Sequence, residues 1–339
     1  MKNKLFIILV AMLLNISSCK SQEAEFMGVN GLIFNSTYSI IYESSKNITP
    51  EELKKNIEEI FYNYRASISS YVPTSIMNRI NRNEDAQIDA HIEELYNMSV
   101  MISELSGGAF DITVGPLVRA WGFGADGRRS FSGENLDSLL NLVGMDKVKI
   151  VDGKIVKSNP NIVLDFNAIA KGFSVDLIAR HLDKLGIKNY LIEVGGELRV
   201  KGTRNGNLWR VGIDKPLDSN ITKGSAGLQA IVSLTNKSSA TSGDYRRFYI
   251  GEDGVKYSHT IDPRTGYPVR NRLLSITVFA DECAIADGIA TVCMVLGHEK
   301  AIEFLNNHPQ YSAFMVYSGD NGEFETWMSE SLREFIEEE

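Results

Sequence analysis

From Ser239 to Val269 the chain reads SATSGDYRRFYIGEDGVKYSHTIDPRTGYPV, and this stretch restricts the fold more than any other. It holds two Gly-marked turns and a hairpin, with Ser242, Asp244, Arg246, His259, Asp262 and Arg264 between them. Gly and Pro set the backbone here, so the polar side chains are aimed rather than merely solvated. A cluster of acid, base and hydroxyl groups on such a frame suits a charged ligand. The rest of the chain reads as support for it.

That support alternates between helical and strand periodicity without a regular βαβ repeat. Gly31 to Glu43 alternates and is rich in Ile, Tyr and Thr, which predicts a strand. Thr49-Pro50-Glu51-Glu52 supplies a capping box with Pro at the first helical position, and Leu53, Ile57, Ile60, Phe61 and Tyr64 follow at helical spacing. Ser69 to Asn81 reads as a loop entering a short helix. Asp89 caps the next helix, which Gly107-Gly108 ends. Ser132 to Val143 predicts a short helix, Val148 to Val156 a hairpin about Asp152-Gly153, and Ile162 to Leu164 a brief strand. Ala168 to Leu185 is strongly helical. Strands are expected at Tyr190–Val200, Trp209–Ile213, Leu228–Leu234, Leu273–Ala280, Tyr311–Tyr317 and Phe324–Met328, with helices at Ala284–Leu296 and Glu299–Asn306. The pattern predicts an α+β fold: a single intertwined domain of mixed, largely antiparallel sheet packed with helices, over residues 27–339.

The amino terminus carries a different signal. Lys2 and Lys4 precede an apolar run, Leu5 to Leu14, short for a membrane span but suited to a signal-peptide core. The run closes on Ile16-Ser17-Ser18-Cys19, which resembles a bacterial lipobox. It predicts a signal peptide over 1–18, a lipid on Cys19, a polar tether over 19–26 and a protein anchored in the bacterial envelope, most simply facing the periplasm. A lipidated cysteine with several acyl chains anchors stably. If the remaining Cys283 and Cys293 share the helix expected there, they stand about 15 Å apart, beyond disulfide reach, and they read as core thiols. A net charge of −8 leaves no basic surplus for nonspecific nucleic-acid binding.

Three segments carry candidate chemistry. In Ala286-Asp287-Gly288-Ile289-Ala290-Thr291, Asp287 and Thr291 stand four apart, so a helix projects both oxygens from one face. A carboxylate and a hydroxyl without His or Cys suit a hard ion such as Mg²⁺; the same spacing also suits a polar helix end with a Thr bonded to its own helix. In Asp165 to Gly172 a strand end runs into a helix start, where free N–H groups favour anions. Lys171 in that first turn opposes the helix dipole, which hints at a phosphate or an acidic partner and is equally compatible with a solvated lysine. His259, with Asp262 and Pro263 after it, suits a base or a pinned turn. Gly122 to Gly127 matches GxGxxG but neither follows a strand nor opens a helix, so it reads as a loop.

Together these runs resemble the ApbE family of flavin transferases. The resemblance rests on Gly107-Gly108-Ala109-Phe110-Asp111-Ile112-Thr113, Asp165 to Asp176, Glu193 to Glu197, Thr241 to Tyr245, Ser258 to Gly266 and Ala286 to Thr291, in order along the chain. It implies a Mg²⁺-dependent enzyme that moves FMN from FAD onto a Ser/Thr hydroxyl of an envelope redox protein, releasing AMP. It also implies roles: Asp287, Thr291 and the Ala168 carbonyl for the metal; Asn35, Tyr71, Ala109, Phe110, Asp111, Asp165, Lys171 and Ile261 for the flavin nucleotide; His259 as the base. Many relatives carry Met-Gly-Thr where this chain has Asn35-Ser36-Thr37. That departure leaves open an alternative, Mg²⁺-dependent FAD hydrolysis to free FMN and AMP.

Overall fold

In the computed structural model, residues 24–33, 36–124, 135–215, 228–243, 248–250 and 256–337 are described. The leader, Cys19 and the tether up to residue 23, Asn35, Asp244, Arg246 and residues 125–134 lie outside them.

The frame is an eight-stranded, fully antiparallel sheet in which spatial order follows chain order. Its strands are β1 (Phe26–Ile33), β2 (Ser36–Glu43), β5 (Tyr190–Val194), β6 (Glu197–Lys201), β9 (Lys237–Gly243), β12 (Leu273–Ala280), β13 (Ser312–Ser318) and β14 (Phe324–Met328). Between them the chain makes excursions: the hairpin β3 (Val148–Val151) and β4 (Lys154–Lys157), the pair β7 (Trp209–Asp214) and β8 (Leu228–Leu234), and the hairpin β10 (Phe248–Ile250) and β11 (Lys256–Ser258). A short β15 (Ile336–Glu337) joins β8 and β7 in a three-stranded sheet.

The helices are α1 (Pro50–Ile68), α2 (Ile76–Asn81), α3 (Ala90–Leu105), α4 (Gly115–Ala120), α5 (Leu136–Leu140), α6 (Ala170–Lys184), α7 (Cys283–Leu296) and α8 (His298–Asn307). The capping box before α1 is complete, with Thr49 and Glu52 each accepting the other's backbone N–H. Asp89 caps α3 through the N–H of Ile92 at 3.0 Å.

Alternation along the strands decides which layer covers which face. On β12, Ile276, Val278 and Ala280 enter the core shared with α3 and α7, while Phe279 faces the opposite way. Tyr38, Ile40 and Tyr42 of β2 pack with α1 and α6. The other face is covered by Trp209, Val211, Val232 and Leu234 of β7 and β8. Helices thus cap one face of the sheet and a second sheet caps the other, which is the expected α+β class.

Two expected strands are hairpins. Gly31 to Glu43 is the second half of β1 and all of β2, paired from Phe26↔Glu43 to Ile33↔Ser36. Tyr190 to Val200 breaks at Gly195 and Gly196, both at positive φ (57° and 100°), so β5 folds straight back as β6. A two-residue turn of this kind preserves the flanking alternation, which is why periodicity reads through it. Ile162 to Leu164 is not a strand; Val163 makes one parallel bridge to Val114.

Candidate functional site

The start of α6, the first turns of α7 and the β5–β6 turn converge on one point. Gly172 makes this possible: a methyl there would strike the Cys283 carbonyl, with its carbon at 2.7 Å and Ala284 Cα at 2.9 Å. Only hydrogen lets the two helix backbones approach so closely. Across that contact, Asp287 of α7 accepts the N–H of Gly172 through Oδ2 at 3.0 Å. Its Oδ1 has no hydrogen bond among the described residues. Thr291 lies one turn on in the same helix, half-buried. Among the described residues its hydroxyl makes no bond back to the Asp287 carbonyl. Ala168, half-buried, precedes α6 in the turn that begins at Asp165.

Lys171 finds its acidic partner inside the protein. Its ammonium lies 2.6 Å from Glu197 Oε2 and donates to the Gly195 carbonyl at 3.1 Å. Glu197 is only 2% exposed and Asp287 7%. Burial pushes Glu197 up to about 8, helped by the Asp287 charge and only partly opposed by Lys171. Burial likewise lifts Asp287 to about 6, against the pull of Lys171 and the Gly172 N–H. Two carboxylates held against their preference for water, beside one lysine, form a site short of positive charge.

A cleft of about 370 Å³ adjoins the same loop. Tyr71, Asn81, Arg119, Phe123, Asp165 and Asn167 are among its walls. Asp165 bends the chain here, accepting the Asn167 N–H at 2.8 Å. Phe123 meets the half-buried His259 ring edge-on at 6.4 Å, so the histidine stands beside this cleft. Asp262 does not orient that histidine as a simple relay. Its carboxylate takes both Nε and Nη2 of Arg264, at 2.9 and 2.8 Å, and the Arg264 N–H, which pins the turn.

The remaining candidates are more deeply placed. Ala109 and Phe110 are buried in the main core, and Phe110 packs beside Gly288. Ile261 is buried in a small cluster with Leu117, Trp121, Leu136 and Val143, which fastens the His259 loop to α4. Asp111 accepts the backbone N–H and hydroxyl of Thr113 at 2.7 and 2.6 Å, yet burial still holds its carboxyl above the usual range. Among the described residues no three His, Cys, Asp or Glu side chains gather as a metal site.

Glu197 escaped the sequence reading. Its signal was present: a glutamate directly after a Gly-Gly turn, at an inward position of an alternating strand. Arg119 and Phe123 were missed as well, since nothing in a short helix and its trailing glycines marks them as cleft walls.

A sequence profile of the ApbE family matches residues 34–315. A protein from Haemophilus influenzae named FAD:protein FMN transferase is 35% identical over 344 residues, covering 98% of this chain and 97% of its own length. One of the same name from Vibrio cholerae is 33% identical, with 98% of each chain covered. The solved flavin transferase ApbE of Vibrio cholerae superposes with a TM-score of 0.81 at 34% identity, over 92% of this chain and 99% of that one. The apo flavinyl transferase ApbE of Pseudomonas stutzeri gives 0.82 at 32% identity, over 93% and 98%. The family profile spans most of the chain, and the relatives and solved structures match it almost end to end in sequence and fold, so this chain belongs to the ApbE family.

Proposed function

We propose that this protein is an FAD:protein FMN transferase, a Mg²⁺-dependent enzyme that joins the FMN half of FAD to a Ser or Thr hydroxyl of an acceptor protein and releases AMP. The observation that carries the reading is the meeting of Asp287, Lys171 and Glu197 at the α6–α7 contact, a buried acidic site beside an open cleft. The family match supplies the flavin.

The donor set fits a hard divalent ion. Asp287 Oδ1, the Thr291 hydroxyl and the Ala168 carbonyl are all oxygen, and burial makes the Asp287 charge costly until a cation offsets it. Bound there, Mg²⁺ would supply charge neutralisation to the diphosphate. Lys171 contributes a second positive charge from its place between Glu197 and the Gly195 carbonyl. Tyr71 and Asp165 would seat the nucleotide along the cleft walls, with Asn35, Ala109, Phe110, Asp111 and Ile261 completing the contacts that the family resemblance implies. His259, beside Phe123, takes the proton of the acceptor hydroxyl as its oxygen bonds to the FMN phosphorus. The bond from that phosphorus to the bridging oxygen breaks, and AMP leaves with the oxygen. The acceptor is a redox protein of the cell envelope, and the lipid on Cys19 keeps the enzyme at the membrane where such an acceptor resides. No helix of the described residues is long and apolar enough to cross a membrane.

The test is incubation of enzyme, FAD and Mg²⁺ with and without a Ser/Thr acceptor domain. Transfer gives a fluorescent acceptor band on a denaturing gel with one AMP per flavin. Free FMN and AMP with no labelled acceptor would establish the hydrolase alternative instead. His259→Ala is expected to bind FAD normally and to transfer at least about a hundredfold more slowly; full activity would remove His259 from its role.

A further inference from the structure

Two helices meet at this site, and neither closes its own N-terminus. Ile169 before α6 and Glu282 before α7 make no side-chain capping bond. The first N–H groups of a buried helix need acceptors from somewhere. Here the helices exchange carboxylates. Asp176 of α6, fully buried, accepts the N–H of Cys283 at 3.0 Å and of Ala284 at 2.8 Å. Asp287 of α7 returns the bond, accepting Gly172 near the start of α6. Arg199 of β6 donates to Asp176 at 2.7 Å and balances its charge.

A Ser, Thr or Asp at position 282 would cap the helix locally through a neighbouring N–H, but it would leave α7 free to slide along α6. Capping from α6 ties the two together. A slip of one residue along the axis is about 1.5 Å, enough to break both sets of bonds. It would also carry Asp287 well beyond the roughly 0.5 Å tolerance of a working constellation.

We propose that Asp176 is a positioning residue for the divalent-cation site: by capping α7 from the neighbouring helix, it sets where that helix presents Asp287 and Thr291. The inference rests on the cation reading above.

The experiment titrates the purified protein with Mn²⁺, without FAD, and follows free Mn²⁺ by electron paramagnetic resonance. Wild type, Asp287→Ala, Asp176→Asn and Asp176→Glu are compared, with circular dichroism as the check on folding. Asp176→Asn keeps the side-chain size but offers one acceptor oxygen in place of two. It is expected to stay helical and to weaken Mn²⁺ binding by about tenfold, the usual cost of losing an outer partner of a metal site. Its AMP release should recover as Mg²⁺ is raised, so the defect lies in cation dependence rather than in maximal rate. Asp176→Glu, which keeps the charge but displaces it by one methylene, is expected to show a smaller loss and is the deciding variant if Asp176→Asn does not fold. Folded Asp176 variants with wild-type Mn²⁺ affinity would overturn the positioning role. If Asp287→Ala itself binds Mn²⁺ as wild type does, the cation site is wrong, and the inference falls with it.

Discussion

Burial drives Glu197 toward its protonated form, and the neighbouring Asp287 charge adds to the drive. Because folding lifts this group from 4.5 to about 8, the folded state prefers the proton. Its contribution to stability is therefore intact below the free-glutamate value and is lost as pH climbs toward 8. Asp287, lifted from 3.8 to about 6, acts in the same sense over a lower window. In the cation-free protein, Glu197→Gln is expected to flatten the fall in melting temperature between about pH 5 and pH 8. Thermal melts across that range read it directly, and an unchanged slope would show that Glu197 is ionised throughout. Lys171→Met removes the internal cation and is expected to slow transfer by about a hundredfold or more, measured as AMP release at saturating Mg²⁺. The lysine's conflict with the helix dipole was legible in the sequence, and so was the Asp287/Thr291 pair. The glutamate that resolves the conflict was not, because its role depends on a hairpin turn that periodicity reads straight through.

At the scale of elements, α6 and α7 behave as one unit. Gly172→Ala is the sharpest probe of it, since the added methyl meets backbone atoms of Cys283 and Ala284 that have no rotamer to yield. It is expected to cost about 1–3 kcal/mol, seen as a lower midpoint in urea, and to weaken Mn²⁺ binding in step. A variant with reduced stability but undisturbed cation affinity would separate the helix contact from the site. Helices α1, α3, α6 and α7 were legible from spacing and caps, and their bounds moved by at most two residues. The hairpins β1–β2 and β5–β6 were read as single strands; between β5 and β6 a two-residue turn leaves too little sequence to interrupt an alternation. Asp262 was placed beside His259 by number, but Arg264 claims its carboxylate in space.

Over the whole molecule, the sheet takes its strands in chain order while nearly every functional group arrives on an excursion from it. The Ile16-Ser17-Ser18-Cys19 run predicts that this assembly hangs from a membrane by its first mature residue. Cys19→Ala is accordingly expected to abolish palmitate labelling and to release the protein from the membrane fraction, with transfer to a soluble acceptor domain unchanged. Retention in that fraction would point to another anchor. Hydrophobic period, caps and turn residues determined the helices, most strands, the α+β class and the segments that carry chemistry, because each is a local response to water and backbone geometry. What only the tertiary structure decided is which of those groups share a space: Lys171 with Glu197, Asp176 with the start of α7, and Gly172 with Asp287, 115 residues apart. Charge pairing at low dielectric acts over a few ångströms, and a sequence records separations along the chain rather than distances across it.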